Sequence, residues 1–191
     1  RPAVGGYGGT ARHLARTYGC RVTALNLSEK ENERDRQMNA EQGLDDLVEV
    51  VDGSFQSLPF ADGCFDIVWS QDALLHGDDR PAALREAHRV LVPGGEMIFT
   101  DPMQADDCPE GVLDPILERI HLQTLGSPGL YRRIAQELGM TVVAVEDQTP
   151  NLIRHYARVL EETRQRYDEL SKIISTESLD RMQACLQHWV D

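Results

Sequence analysis

The chain has 191 residues, 41% of them hydrophobic, and a formal net charge of −13. That length suits one domain with a sizeable core, and the apolar share excludes a disordered chain. A surface this acidic repels phosphate backbones and anionic lipid, which excludes nucleic-acid and membrane-surface partners. The carboxylates read either as a plain solubility surface or as the mark of a salt-rich cytoplasm. Cys20, Cys64, Cys108 and Cys185 lie far apart with no C-x-x-C, which predicts reduced cytoplasmic thiols and no metal site.

Residues 5–9 read Gly-Gly-Tyr-Gly-Gly and enter a helix over 10–18 that Gly19 ends. A glycine run at a helix start lets backbone approach a ligand while helix N–H groups point at it. A nucleotide-like body is the expected occupant. A strand should precede this loop, and only residues 1–4 remain for it, so the natural N-terminus is expected further upstream. Residues 21–27 form a β-rich apolar strand. Ser28 and Glu31 make a capping box that opens a charged helix to about Glu41, closed by Gly43. Strands follow at 47–51 and at 65–70, the second announced by the turn Ala61-Asp62-Gly63. A helix spans 81–91 with Pro81 in its first turn. Pro93-Gly94-Gly95 breaks the chain before a strand at 96–100.

Beyond that strand, residues 108–127 carry apolar stretches punctuated by Pro109 and Pro115. A helix over 129–138, a strand over 141–146, a long amphipathic helix over 152–174 and a last helix over 177–188 complete the chain. The alternation predicts an α/β, Rossmann-like parallel sheet with right-handed crossovers and helices on both faces. Residues 1–191 are expected to form a single domain, with the helical segments 103–138 and 150–191 covering the substrate site. Sheets of this kind bind ligands beyond the carboxyl ends of their strands.

Three segments reach that edge. Gly6-x-Gly8-x-x-Ala11 matches G-x-G-x-x-A, the pyrophosphate fingerprint of NAD enzymes. Such a site wants an acid about twenty residues later to hold the ribose. Here the next strand ends at Asn26, whose amide can also bond a ribose hydroxyl. The second segment, Asp52-Gly53-Ser54-Phe55, follows the third strand. Its carboxylate suits an exocyclic amine, a loop N–H suits a ring nitrogen and Phe55 offers an apolar wall, together an adenine pattern. The alternative is a plain D-G turn. The third, Trp69-Ser70-Gln71-Asp72-Ala73-Leu74-Leu75-His76, leaves the fourth strand; helical from Asp72, it sets Asp72 and His76 on one face. An NAD-dependent oxidoreductase and a catalytically inactive cofactor-binding module both stay open on these residues.

The succession Gly6-Tyr7-Gly8-Gly9, Ala24-Leu25-Asn26-Leu27-Ser28, Asp52-Gly53-Ser54-Phe55, Trp69 to His76 and Leu91-Val92-Pro93-Gly94-Gly95 resembles class I S-adenosylmethionine-dependent methyltransferases. Within that class it is most similar to the sarcosine/dimethylglycine N-methyltransferases of glycine betaine synthesis. Thr100-Asp101-Pro102-Met103-Gln104-Ala105-Asp106-Asp107, Gly126-Ser127-Pro128-Gly129 and Arg154-His155-Tyr156 extend the likeness over nearly the whole chain.

The resemblance implies a cofactor, S-adenosylmethionine, with Gly5, Gly6 and Gly8 against its methionine part. Asn26 with Leu27 would hold the ribose, Asp52 the adenine amine, and Gly53, Ser54 and Phe55 the rest of the base. Gln71 would stand beside the sulfonium. Asp72 and His76 match an Asp-x-x-x-His pair of related phosphobase methyltransferases and would take the proton of the substrate amine. Trp69, Met103, Arg132 and Arg154 are candidates for substrate binding, an aromatic face for the product cation and a forked cation for a carboxylate. The implied substrates are sarcosine and dimethylglycine, with another small amine or a phosphobase as alternative; oligomeric state stays open. Val4 stands where the family has its first glycine, and the family continues into a last strand past Asp191. The first and last strands are therefore expected to be missing from this chain.

Overall fold

The computed structural model describes residues 3–4 and 6–190, and the chain divides into two units, Arg1–Val143 and Ala144–Asp191. In the first unit, β1 (Ala3–Val4) leads through the glycine loop to α1 (Gly9–Tyr18), β2 (Val22–Asn26), α2 (Glu29–Glu41) and β3 (Val48–Asp52). β4 (Phe65–Gln71), α3 (Arg80–Val90) and β5 (Leu91–Thr100) follow. Local chemistry sets the helix ends. The Ser28 hydroxyl accepts from the Glu31 N–H, the Asp79 carboxylate accepts from the Ala82 N–H at 2.8 Å, and Gly19 closes α1 at φ 63°.

All pairing is parallel: β1 with β2 and β2 with β3 in one hydrogen-bonded set, β4 with β5 in another. The described residues of β1 pair as Ala3 opposite Thr23 and Val4 opposite Ala24, and they also lie beside β4. The strands thus follow the order 3-2-1-4-5. Crossovers from β1 to β3 step one way and the crossover from β4 to β5 steps the other. Right-handed connections therefore place α1 and α2 on one face and α3 on the opposite one. The core agrees. Val22 and Ala24 of β2 pack with Ala11 and Ala15 of α1, whereas Leu25 joins Phe65, Val68, Ala87 and Val90. The topology gathers Val4, Asn26, Asp52, Gln71 and Thr100 at one sheet edge, where the chain reverses direction between β1 and β4.

Three expectations need correction. Pro93-Gly94-Gly95 does not end the strand: β5 starts at Leu91, and its register with β4 jumps from Phe65↔Leu91 to Ile67↔Glu96. The turn bulges out of a strand that continues past it, with Gly94 at φ 81°. Residues 141–146 form no strand. Val142, Val143 and Val145 are exposed, and no strand among the described residues pairs with them. A β-prone run needs a neighbour for its N–H and C=O groups. The helix expected over 152–174 ends at Gln165, because Arg166 leaves helical geometry (φ −105°, ψ 20°) and pairs with Glu169 in a new short turn.

After β5 the first unit adds α4 (Asp114–Ile120) and α5 (Pro128–Glu137). The second unit holds α6 (Thr149–Gln165), α7 (Tyr167–Leu170) and α8 (Thr176–Val190). α6 and α8 pack antiparallel: Tyr156 stacks on Trp189 at 5.0 Å, and the Tyr167 hydroxyl reaches Asp180 at 3.0 Å.

Candidate functional site

Gly6 and Gly8 both have positive φ, 72° and 69°, a region that L side chains enter only at a cost. A Cβ on Gly6 would meet no atom within 4 Å, whereas one on Gly8 would lie 2.1 Å from Asp35 Oδ1. Gly6 therefore faces open space and Gly8 packs on a carboxylate. Gly5 lies outside the described residues.

The loop is anchored by residues that the sequence reading missed. Buried Arg12 donates to the Tyr7 carbonyl at 2.6 Å, to Asp35 at 2.5 Å and to the Asn39 amide oxygen at 2.9 Å. Burial pushes the Asp35 carboxyl above its ordinary range, against the pull of Arg12. The buried face of α2 is polar, Asn32, Asp35 and Asn39, at helical spacing. That stripe was the available signal.

The cofactor candidates line the sheet edge. Thr10 Oγ1 donates to Gln71 Oε1 at 3.1 Å, linking the start of α1 to the end of β4. The Asn26 amide donates to Glu31 at 2.7 Å, which leaves its oxygen to accept. Asp52 accepts from Asn32 at 2.7 Å and from Arg36 at 2.6 Å, and these bonds hold its carboxyl below the ordinary range. Leu27 and Tyr7 are exposed large side chains at this edge. The Gly53 N–H is spent on the Asn26 carbonyl at 3.1 Å. A donor to a ring nitrogen has to come from beyond it. The Ser54 hydroxyl accepts from the Gln56 N–H at 3.2 Å. The ring of Phe55 lies against Gly77, where an added Cβ would come within 2.8 Å of it.

Asp72 and His76 do not share a helical face. Asp72 sits at φ 49°, its N–H still on the Thr100 carbonyl at 2.9 Å, and only Leu74–His76 form a 3₁₀ turn. The chain leaves the β4–β5 ladder through a left-handed residue, a conformation that aspartate tolerates better than most. Both side chains are exposed at the sheet edge, and Thr100 Oγ1 donates to the Asp72 carboxylate at 2.9 Å. Behind the turn lies a polar group that the sequence reading also missed, Asp101, Tyr131 and Arg80. Burial pushes the Asp101 carboxyl up, against hydrogen bonds from Tyr131 and Leu75 that pull it down.

Trp69 packs against the cluster of Ala11 and Ala15, with its indole N–H buried and unpartnered among the described residues. Met103 bridges to Gly126 and packs with Leu74 and Tyr131. Arg132 is exposed and helps, after Ser127 and the Gly129 N–H, to keep the Asp106 carboxyl low. Arg154 belongs to the second unit, where its guanidinium bonds the Pro150 carbonyl and Asn151.

A family model described as a methyltransferase domain matches residues 3–99. The chain is 60% identical over 186 residues to the sarcosine/dimethylglycine N-methyltransferase of Halorhodospira halochloris, a match covering 97% of this chain and 67% of the relative. It is 53% identical to the sarcosine/dimethylglycine N-methyltransferase of Aphanothece halophytica, again covering 97% and 67%. Among solved structures, a proposed sarcosine dimethylglycine methyltransferase from Galdieria sulphuraria matches with TM-score 0.90 and 38% identity, over 99% of this chain and 71% of that one.

Proposed function

The chain belongs to the methyltransferase family, and from that premise we propose that it moves a methyl group from S-adenosylmethionine to the amine nitrogen of sarcosine and of dimethylglycine. The products are dimethylglycine and glycine betaine. The observation that carries this reading is the 60% identity, over 97% of the chain, to a sarcosine/dimethylglycine N-methyltransferase. The chain spans about two thirds of that relative's length. The cytoplasm is the compartment that suits its four free thiols.

The residues present fit the cofactor. Gly6 leaves open space beside a helix start, as a close-lying ligand needs. When bound, S-adenosylmethionine supplies a methyl group made electrophilic by its sulfonium. The glycine loop would hold its methionine part, Asn26 and Leu27 the ribose side, Asp52 the adenine amine, and Gln71, steadied by Thr10, the neighbourhood of the sulfonium. Asp72 and His76 have the task of accepting the proton that a substrate ammonium must lose before its lone pair is free. Both follow β4, Asp72 directly and His76 in the 3₁₀ turn beyond it, and their proposed part includes orienting the amine for an in-line approach, from which much of the rate enhancement would come. The Asp72 carboxylate also stabilises the cationic product. Arg132 and Arg154, the two cations available for the substrate carboxylate, are both exposed, and the Arg154 guanidinium also bonds the Pro150 carbonyl and Asn151.

The test is direct. Protein incubated with S-adenosylmethionine and dimethylglycine is expected to release S-adenosylhomocysteine and betaine, followed by mass spectrometry. His76→Ala is expected to lower kcat by about 10²-fold or more. Cofactor binding without either product in the unaltered protein would reduce the chain to a binding module.

A further inference from the structure

Resting on the reading of His76 as a proton acceptor, we infer that Asp101, Tyr131 and Arg80 are positioning residues that clamp the peptide groups on both sides of Leu75 and so set where His76 stands. Asp101 follows β5 directly. Its Oδ1 accepts from the Leu75 N–H at 2.9 Å and its Oδ2 from the Tyr131 hydroxyl at 2.7 Å, so both oxygens are engaged. Arg80, 8% exposed, donates to the Leu75 carbonyl at 3.2 Å and to Thr124 at 2.7 and 3.0 Å. That carbonyl belongs to the peptide bond joining Leu75 to His76.

A 3₁₀ turn of three residues has poor hydrogen-bond geometry and little stability of its own. Here half-buried Asp101 and buried Arg80 and Tyr131 supply what the turn lacks. Tyr131 is itself locked, 5% exposed and edge-on to Phe99 at 5.0 Å. On the far side of His76, Phe55 closes over Gly77. The imidazole is therefore the exposed product of a turn fixed at both flanks. Desolvating a carboxylate, a phenol and a guanidinium at one place is costly, and the Arg80 Nε is buried without a partner among the described residues. A core that only had to be filled would do better with apolar side chains. A reacting group held to a fraction of an ångström needs such support.

Two measurements decide. Amide exchange at Leu75 reads the clamp without any chemistry. Asp101→Ala is expected to speed it by about tenfold or more relative to amides of α3. Unchanged exchange overturns the clamp. A double-mutant cycle reads its consequence. Tyr131→Phe, which keeps the ring, is expected to lower kcat about tenfold while the Kd for S-adenosylhomocysteine and the KM for dimethylglycine stay within about twofold. In the His76→Ala background the same change is expected to cost nothing further. Equal fractional losses in both backgrounds, or a matching loss of cofactor affinity, overturn the positioning role. Absence of methyl transfer in the unaltered protein sinks the proposed function alone, because the exchange measurement still decides the clamp.

Discussion

Arg12 of α1 and Asp35 of α2 form an ion pair at 2.5 Å with side chains only 6% and 1% exposed. Such a pair adds little over a well-packed apolar replacement, yet losing one partner strands the other charge. The same guanidinium holds the Tyr7 carbonyl, so the pair also ties the glycine loop to both helices. Arg12→Met is expected to cost about 3–5 kcal/mol of unfolding free energy. The double change Arg12→Met/Asp35→Leu is expected to cost less than the single one. Urea melts of the two variants check this, and a single-variant loss below about 1 kcal/mol would give the pair the weight of an exposed one.

Gly6 and Gly8 should fail differently when changed to alanine. Both force a left-handed alanine, at roughly 1–2 kcal/mol each. At Gly8 the new Cβ also collides with Asp35, so the loss of stability dominates. At Gly6 the Cβ enters open space, so folding is nearly retained while the cofactor loses room. Gly6→Ala is expected to weaken S-adenosylhomocysteine binding by at least about tenfold with a small change in Tm. Calorimetry beside thermal melts separates the two cases. Unaltered affinity in Gly6→Ala takes that glycine out of the ligand's path.

Most strands and helices of residues 10–90 were legible because of local signatures: Gly19 and Gly63 at turns, Ser28 and Glu31 at a cap, and β-branched apolar residues in the strands, whereas the start of β5 was not, because Pro93-Gly94-Gly95 reads as a break and is a bulge. The strand ends then follow from topology, which is why Asn26 and Asp52 could be named without coordinates, whereas Gln71 came from the family resemblance. Illegible parts depend on partners distant in sequence. Nothing near Arg12 announces Asp35, 23 residues away, and nothing near Leu75 announces Asp101, 26 residues away. Residues 141–146 show the converse, a strand signature with no strand beside it among the described residues. Asp72 misled because aspartate in a left-handed conformation looks, in sequence, like the first residue of a helix.

Asp52 is ionised at neutral pH, since Asn32 and Arg36 lower its pKa. An ionised carboxylate at the end of β3 prefers a ligand with an exocyclic amine over one with a carbonyl there. The unaltered protein is expected to bind S-adenosylhomocysteine more tightly than its inosine counterpart, because a carboxylate accepts from the amine and repels the carbonyl. Asp52→Ala is expected to bind the two alike. If the variant keeps the full preference, another group reads the adenine.

Asp101 gives the protein a pH dependence of definite sign. Burial, the largest influence, raises its folded pKa above the ordinary 3.8 despite the bonds from Tyr131 and Leu75. The folded chain therefore binds this proton more tightly than the unfolded chain does. Its contribution is fully present below 3.8 and is lost as pH rises through the folded pKa. Asparagine at this position carries no such proton. Asp101→Asn is thus expected to gain on the unaltered protein as pH is raised from about 4 toward neutrality, whatever their difference at the acid end. Urea midpoints of both proteins across that interval measure the gap. A gap that moves the other way would mean that the hydrogen bonds from Leu75 and Tyr131, and not burial, govern this carboxyl.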